Sequence, residues 1–251
     1  MLVSAPSLRP KSLHAILGWW AQELGVNVPE LQARADGVTL SPSSNLPGVF
    51  LFLRDRDLRI AALFPKLADL QEAIIGHTFR KIFTPKFWEA LPEFCGSVIG
   101  PAFLYYADAI LPTWTFAAPR GLMIRGLTAS DAKSFAEFAE NLSATEREHC
   151  GLELGPRPMW GIFKGKEMIA GAGYDAWPGR IAHIGVAVHP EHRGKNLGQI
   201  VVQAAARGAL TRRRIVQYRT LAENAASVGL AKALGLEVFA ETLYLRPPSR
   251  A

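Results

Sequence analysis

Residues 181–221 read IAHIGVAVHPEHRGKNLGQIVVQAAARGALTRRRIVQYRTL, and the hydrophobic period changes twice within them. Ile181 to Val188 is a β-branched, strand-like run that stops at His189-Pro190. A basic loop with two glycines follows. Leu197, Ile200, Val201, Ala204, Ala205 and Gly208 then recur at the spacing of one helix face. Ile215 to Leu221 returns to a strand. A strand, a helix-length return and a second strand predict a parallel crossover. No other feature constrains the fold as much, because it demands a sheet with parallel neighbours and a helix covering one face.

The flanking segments extend that sheet. GLMIRGL, from Gly121 to Leu127, predicts a short strand, and Thr128 with Asp131 predicts the cap of a helix. Phe135, Phe138, Ala139 and Leu142 form that helix's apolar face. Trp160–Phe163 and Met168–Asp175 predict two strands around the turn Lys164-Gly165-Lys166. The turn Trp177-Pro178-Gly179-Arg180 leads into Ile181–Val188, completing an antiparallel meander. Asn224–Leu234 predicts a helix ended by Gly235, and Glu237–Arg246 a last strand. The order β-α-β-β-β-α-β-α-β makes an α+β fold with a mixed sheet flanked by helices. The first half predicts a smaller, divergent α/β domain. Ser12–Leu24 reads as a helix with Trp19 and Trp20 toward its apolar side, and Val49–Arg54 and Leu58–Ala62 as a hairpin. Pro65–Ile75 and Pro85–Leu91 read as helices opened by prolines, and Ser97–Tyr106 as a strand. The connector-like stretch 113–121 divides the chain into domains 1–117 and 118–251.

With 251 residues, 49% hydrophobic and 20% charged, the chain is long and apolar enough to bury a core unaided. Cys95 and Cys150 stand far apart in no metal-like spacing, so neither a disulfide framework nor a metal site is expected. Cysteine usage, the absence of a secretory pattern at the N-terminus, and the absence of an apolar run of ~20 residues predict a cytoplasmic protein with no membrane partner. The net charge of +6 permits a nucleic-acid role. However, the basic residues form no long tract, and the densest, Arg212-Arg213-Arg214, falls at a helix end where cations complement the dipole. Nucleic acid is therefore not the expected partner.

The loop after Val188 has the chemistry to hold a pyrophosphate. A helix N-terminus offers unsatisfied N–H groups and partial positive charge. Gly194 and Gly198 allow close approach of backbone to ligand, and Arg193 and Lys195 add cationic donors. It is neither a Walker loop nor a dinucleotide-binding fingerprint, because neither glycine pattern occurs. Taken alone, the loop is equally readable as a connector.

Two motifs in order change that reading. HPEHRGKNLGQIVVQAA resembles the acyl-CoA motif [QR]-x-x-G-x-[GA] of the GNAT superfamily of N-acetyltransferases, with Arg193 opening it and Gly198 closing it. NAASVGLAKALGLEVFAE resembles the family's second motif at Asn224, Ser227, Leu230, Gly235 and Leu236. The resemblance covers residues 120–246 and agrees with the element order above; the first half resembles the divergent N-terminal portions of two-part GNAT proteins, either a degenerate half-GNAT or an acceptor-side lid. It implies transfer of an acetyl group from acetyl-CoA to an amine by direct attack, with no metal. The pyrophosphate would lie on the amides of Arg193, Gly194, Lys195, Asn196, Leu197 and Gly198. The pantetheine would run along Val186, Ala187 and Val188, with Asn224 and Ser227 beside it. Asn224 is equally an ordinary helix N-cap.

Two departures stand out. Asn196 occupies the first glycine of the cradle, and asparagine tolerates the left-handed conformation better than most residues. Ala231 occupies the position of the tyrosine that often protonates the leaving thiolate, and Tyr218 or Tyr244 are the alternatives. A neutral amine requires a base. The candidates are His183 on the strand leading to the cradle and Glu148 or Glu153 after the first helix of the second half. Strand alternation puts His183 on the face opposite Val186 and Val188. Trp160, Tyr174 and Trp177 are either acceptor-pocket or core aromatics, and Cys150 has no partner for a nucleophilic role. The expected partner is a small-molecule or peptide amine, with a homodimer as one arrangement. The alternative is a catalytically impaired CoA-binding regulatory or interaction module, a reading to which Asn196 and Ala231 both lean.

Overall fold

The computed structural model describes residues 8–43, 47–63, 66–115 and 118–248. Pro65, the expected first residue of a helix, residue 117 at the expected domain boundary, and residues 116–117 of the connector lie outside the described residues.

In chain order the elements are helices α1 (Pro10–Leu24) and α2 (Val28–Ala33), then strands β1 (Gly37–Pro42), β2 (Val49–Arg54) and β3 (Asp57–Ala62). Helices α3 (Leu67–Ile74), α4 (Phe79–Ile82) and α5 (Pro85–Glu89) precede strand β4 (Ser97–Ala107). Then come β5 (Met123–Gly126), α6 (Ala132–Glu140), α7 (Ala144–Cys150), β6 (Met159–Lys164), β7 (Glu167–Ala176) and β8 (Ile181–Val188). The chain closes with α8 (Leu197–Thr211), β9 (Ile215–Leu221), α9 (Ala225–Ala233) and β10 (Val238–Arg246).

Most predicted elements are present, and β8 and β9 have the predicted bounds. The sequence reading missed α2, β1, α4 and α7. Each is short, below the length at which a hydrophobic period declares itself. The missed α7 carried a legible signal in its capping box, where Ser143 Oγ accepts from the Glu146 N–H and the Glu146 carboxylate accepts from the Ser143 N–H.

The fold contains two compact units that interleave along the chain. The first comprises Tyr106–Tyr218 and Gly229–Glu237; the second comprises Arg9–Tyr105, Arg219–Val228 and residues 238–248. In the second unit the strand order is β1-β3-β2-β10-β4, with β1 parallel to β3 and the other neighbours antiparallel. Alternation along β2 sorts its side chains. Phe50 and Phe52 meet Trp20 of α1 on one face, at ring separations of 5.6 and 4.9 Å. Val49 and Leu51 face a cluster with Leu58, Ile60, Leu70, Ile82 and Trp88 on the other. The Trp88 indole N–H donates to the Ile82 carbonyl at 2.8 Å, so its one polar atom is satisfied inside that core.

In the first unit the strand order is β9-β8-β7-β6-β5. β5 to β8 are antiparallel neighbours, whereas β8 and β9 are parallel, as the crossover requires. Helix α8 covers one face through Leu197, Val201 and Ala205. Phe138 and Leu142, around α6, and Cys150 at the end of α7 cover the other with Phe163 and Met168. Gly185 is where α7 meets β8: a Cβ there would stand 1.9 Å from the Cys150 carbonyl oxygen. No helix among the described residues is long and apolar enough to cross a membrane.

Candidate functional site

The candidate site is built where β8 ends. The strand pairs with β9 only from Ile181↔Ile215 to Ile184↔Tyr218. On its other side it stays paired with β7 as far as Ala170↔Val188. Residues Gly185 to Val188 therefore have a strand partner on one side only. The direction of their backbone groups follows from alternation. The His189 N–H donates to the Ile169 carbonyl, so Val186 and Val188 turn their N–H and C=O groups away from β7, to the unpaired edge. That edge can take an extended, amide-bearing ligand as one more strand.

Beyond it the chain turns sharply. His189 is buried and its Nδ1 accepts from the Glu191 N–H, closing the short turn Pro190–His192. Arg193 is extended, Gly194 has φ of 73°, and Asn196 is left-handed with φ of 58°. The asparagine thus takes the conformation that a glycine would take at that position. Its side chain makes no capping bond to α8, and the first helical bond runs from the Ile200 N–H to the Asn196 carbonyl. An uncapped N-terminus of a 15-residue helix, preceded by two left-handed residues, presents backbone N–H groups without a side-chain acceptor. This is the donor set that a pyrophosphate needs.

The two cations of the loop are engaged within the protein. Arg193 Nε donates to the Val188 carbonyl at 3.2 Å, and its Nη2 pairs with Glu146 at 2.6 Å. Lys195 Nζ donates to the Glu191 carbonyl at 3.1 Å. The Ser143 backbone N–H, then its hydroxyl and the Arg193 guanidinium, hold the Glu146 carboxyl below its ordinary range. Arg193 therefore ties the start of α7 to the loop, a role that the sequence did not suggest. Gly198 is buried, and a Cβ on it would lie 2.8 Å from Leu230 Cδ1 and 3.4 Å from Val188 Cγ2.

His183 lies on the face opposite Val186 and Val188, as alternation predicts, since β7 and β8 pair without a register shift. Its Nδ1 is 2.8 Å from Gln217 Oε1, and the Trp177 ring stacks on it at 4.5 Å with 15° between planes. Gln217 is fully buried, and its Nε2 donates to the Tyr106 hydroxyl at 2.5 Å. Sequence reasoning missed Gln217 and Tyr106. Only the register of β8 against β9 puts Gln217 opposite His183.

The other sequence candidates fall elsewhere. Glu148 and Glu153 are exposed. Tyr218 is buried opposite Ile184, and Ala231 is fully buried. Trp160 lies under α8, where it fills the space beside Gly208, and stacks half-buried on Tyr174, which is a core residue. Cys150 is buried, and burial pushes its thiol up, away from thiolate chemistry. In the second unit, Asn224 Oδ1 accepts from the Ser227 N–H at 3.0 Å, the bond expected of an N-cap of α9. Tyr244 packs its ring 6.4 Å from that of Phe50.

Comparison with known proteins bears on residues 126–236, which match the model of the acetyltransferase (GNAT) family. No curated protein matches the chain. Solved structures with similar folds include a GNAT-family protein from Novosphingobium aromaticivorans, 22% identical over 61% of this chain and 66% of that one, with a TM-score of 0.46. A GCN5-related N-acetyltransferase from Kribbella flavida is 17% identical over 66% of this chain and 65% of that one, with a TM-score of 0.49. A tandem GNAT protein of clavulanic acid biosynthesis is 18% identical over 66% and 58%, with a TM-score of 0.47. The chain spans less than two thirds of the length of each.

Proposed function

We propose that this chain, whose residues 126–236 are an acetyltransferase domain of the GNAT family, transfers an acetyl group from acetyl-CoA to an amine. The observation that carries the reading is the meeting of two features at one strand end: the one-sided edge Gly185–Val188 and the uncapped N-terminus of α8. The edge suits the two amides of a pantetheine arm. The helix start suits a pyrophosphate, held on the backbone of Arg193, Gly194, Lys195, Asn196, Leu197 and Gly198. By resemblance, Asn224 and Ser227 are assigned to the pantetheine arm. Localisation in the cytoplasm and an amine of small-molecule or peptide size belong to the same proposal.

The reaction is a direct displacement. The amine lone pair attacks the thioester carbonyl carbon, a C–N bond forms, and the C–S bond breaks as CoA leaves as a thiolate. The Val186 N–H, turned to the open edge where the pantetheine track ends nearer His183, is the donor assigned to the developing oxyanion. His183 is assigned the proton that the amine must lose. A thiol of pKa near ~8.5 makes an adequate leaving group without a dedicated acid, which accommodates Ala231.

The test begins with calorimetric titration of acetyl-CoA. Wild type is expected to bind, and Gly198→Asp to bind at least tenfold more weakly than Gly198→Ala, roughly the 1.4 kcal/mol of a misplaced charge. The alanine variant carries the same crowding against Leu230, so the comparison isolates the carboxylate. Equal affinity in the two variants, or no binding by wild type, would sink the cradle. Release of free CoA thiol across a panel of primary amines then separates an enzyme from the impaired CoA-binding module, which would bind without releasing thiol.

A further inference from the structure

We infer that Glu146 is a positioning residue for acetyl-CoA binding: through Arg193 it holds the loop 193–198 at the end of β8, so a carboxylate on α7 sets the affinity of the cradle. This rests on the reading of that loop as the place of the pyrophosphate. Glu146, Val188 and Arg193 all lie in the first unit.

The loop is weakly held by its own backbone. Among the described residues, the N–H groups of Gly194 to Gln199 donate to no backbone carbonyl, and the helical ladder starts only with the Ile200 N–H on the Asn196 carbonyl. Gly194 and Asn196 are both left-handed, at φ of 73° and 58°. Lys195 Nζ reaches back to the Glu191 carbonyl and to His192 Nδ1, inside the same turn. Burial of Leu197 and Gly198 anchors the far end. At the near end Arg193 is the side chain that leaves the loop. Its Nε donates to the Val188 carbonyl at 3.2 Å, and its Nη2 to Glu146 Oε1 at 2.6 Å.

Glu146 is itself fixed in place. Its two carboxylate oxygens divide the work: Oε2 accepts from the Ser143 N–H at 2.9 Å, and Oε1 from Arg193. The next residue, Arg147, donates to the Ala139 and Leu142 carbonyls at 3.2 and 2.6 Å, which ties the start of α7 to the end of α6. A guanidinium is planar with its donors in a rigid fork, so contacts at Nε and Nη2 together set both the place and the tilt of Arg193. The loop amides converge on a pyrophosphate only when the loop keeps one shape, and ordering it at the moment of binding costs affinity. The pair is half-exposed, so the effect is that of a surface ion pair: a few-fold in affinity rather than orders of magnitude.

Acetyl-CoA is titrated calorimetrically into variants of the full chain, each checked for folding by circular dichroism. Glu146→Gln keeps an acceptor for the Ser143 N–H, since glutamine also serves in a capping box, but removes the charge that holds Arg193. It is expected to bind acetyl-CoA about three- to fivefold more weakly than wild type. A purely electrostatic role for Glu146 has the opposite sign, because deleting a carboxylate beside a polyanion strengthens binding. Arg193→Lys keeps the positive charge but has no fork to span Val188 and Glu146 at once, and is expected to lose about the same factor. In an Arg193→Met background, Glu146→Gln should weaken binding no further. With the amine that gives the fastest CoA release, the defect of Glu146→Gln is expected in the KM for acetyl-CoA rather than in kcat. Four results each overturn the role of Glu146 and leave the cradle in place: affinity equal to or tighter than wild type in Glu146→Gln, wild-type affinity in Arg193→Lys, an equal loss in the Arg193→Met background, or a fall in kcat with KM unchanged. No binding of acetyl-CoA by wild type is the separate failure of the cradle itself.

Discussion

At the scale of single residues, Asp131 shows how a short-range pattern becomes energy. Its carboxylate accepts from Arg125 at 2.6 and 2.8 Å and from the Thr128 N–H at 2.8 Å. The Arg125 guanidinium foremost, then that N–H, holds the Asp131 carboxyl well below the ordinary carboxylate range. A group with a depressed folded pKa stabilises the fold above its unfolded value, near ~3.9, and loses that contribution as pH falls toward the folded value. Arg125 is partly exposed, so the expected size is modest. Asp131→Asn is expected to cost about 1–2 kcal/mol at neutral pH, and the gap to wild type should close on acidification below about pH 4. Chemical denaturation at several pH values measures it; a gap that does not depend on pH would contradict the ion pair. Thr128 and Asp131 were readable in the sequence as a cap. Arg125 was not, because its partnership needs the strand to turn back on the helix start.

At the scale of elements, α7 matters most and was overlooked. Its Ser143 and Glu146 satisfy each other's ends, and the same Glu146 reaches Arg193 at the loop before α8. Its other end closes on β8 at Gly185, against the Cys150 carbonyl. Two contacts, one polar and one steric, thus hold α7 across the strand that carries His183. Gly185→Ala would force Cβ against backbone, which cannot move as a flexible side-chain tip can. The expected cost is about 1–3 kcal/mol, read as a lower melting temperature. A variant as stable as wild type would mean that α7 does not pack there in solution. The crossover β8-α8-β9, by contrast, was legible in full, since each of its segments is long enough to show its period.

For the whole molecule, the proposed ligand should act by mass action on the folded state. Acetyl-CoA at about a hundredfold its Kd should add ~2.7 kcal/mol, and raise the unfolding temperature of the transition that includes the first unit by roughly 5–10 °C. No shift under saturating acetyl-CoA would contradict the site as a whole. The chain itself determined what is local: the alternation of β8, the helical stripe of α8, the turn that separates them and the left-handed tolerance of Asn196. These are properties of neighbouring residues, because backbone conformation and hydrophobic period are set within a few positions. Tertiary structure alone decided the rest. Gln217 and Tyr106 are separated by 111 positions, and Arg193 and Glu146 by 47. Such pairs meet only when strand register and helix packing are fixed together, and register is a collective choice made by burying one face of a whole sheet. The proposed cradle is therefore a reading of residues 186–198, whereas the neighbours of His183 had to be folded to be found.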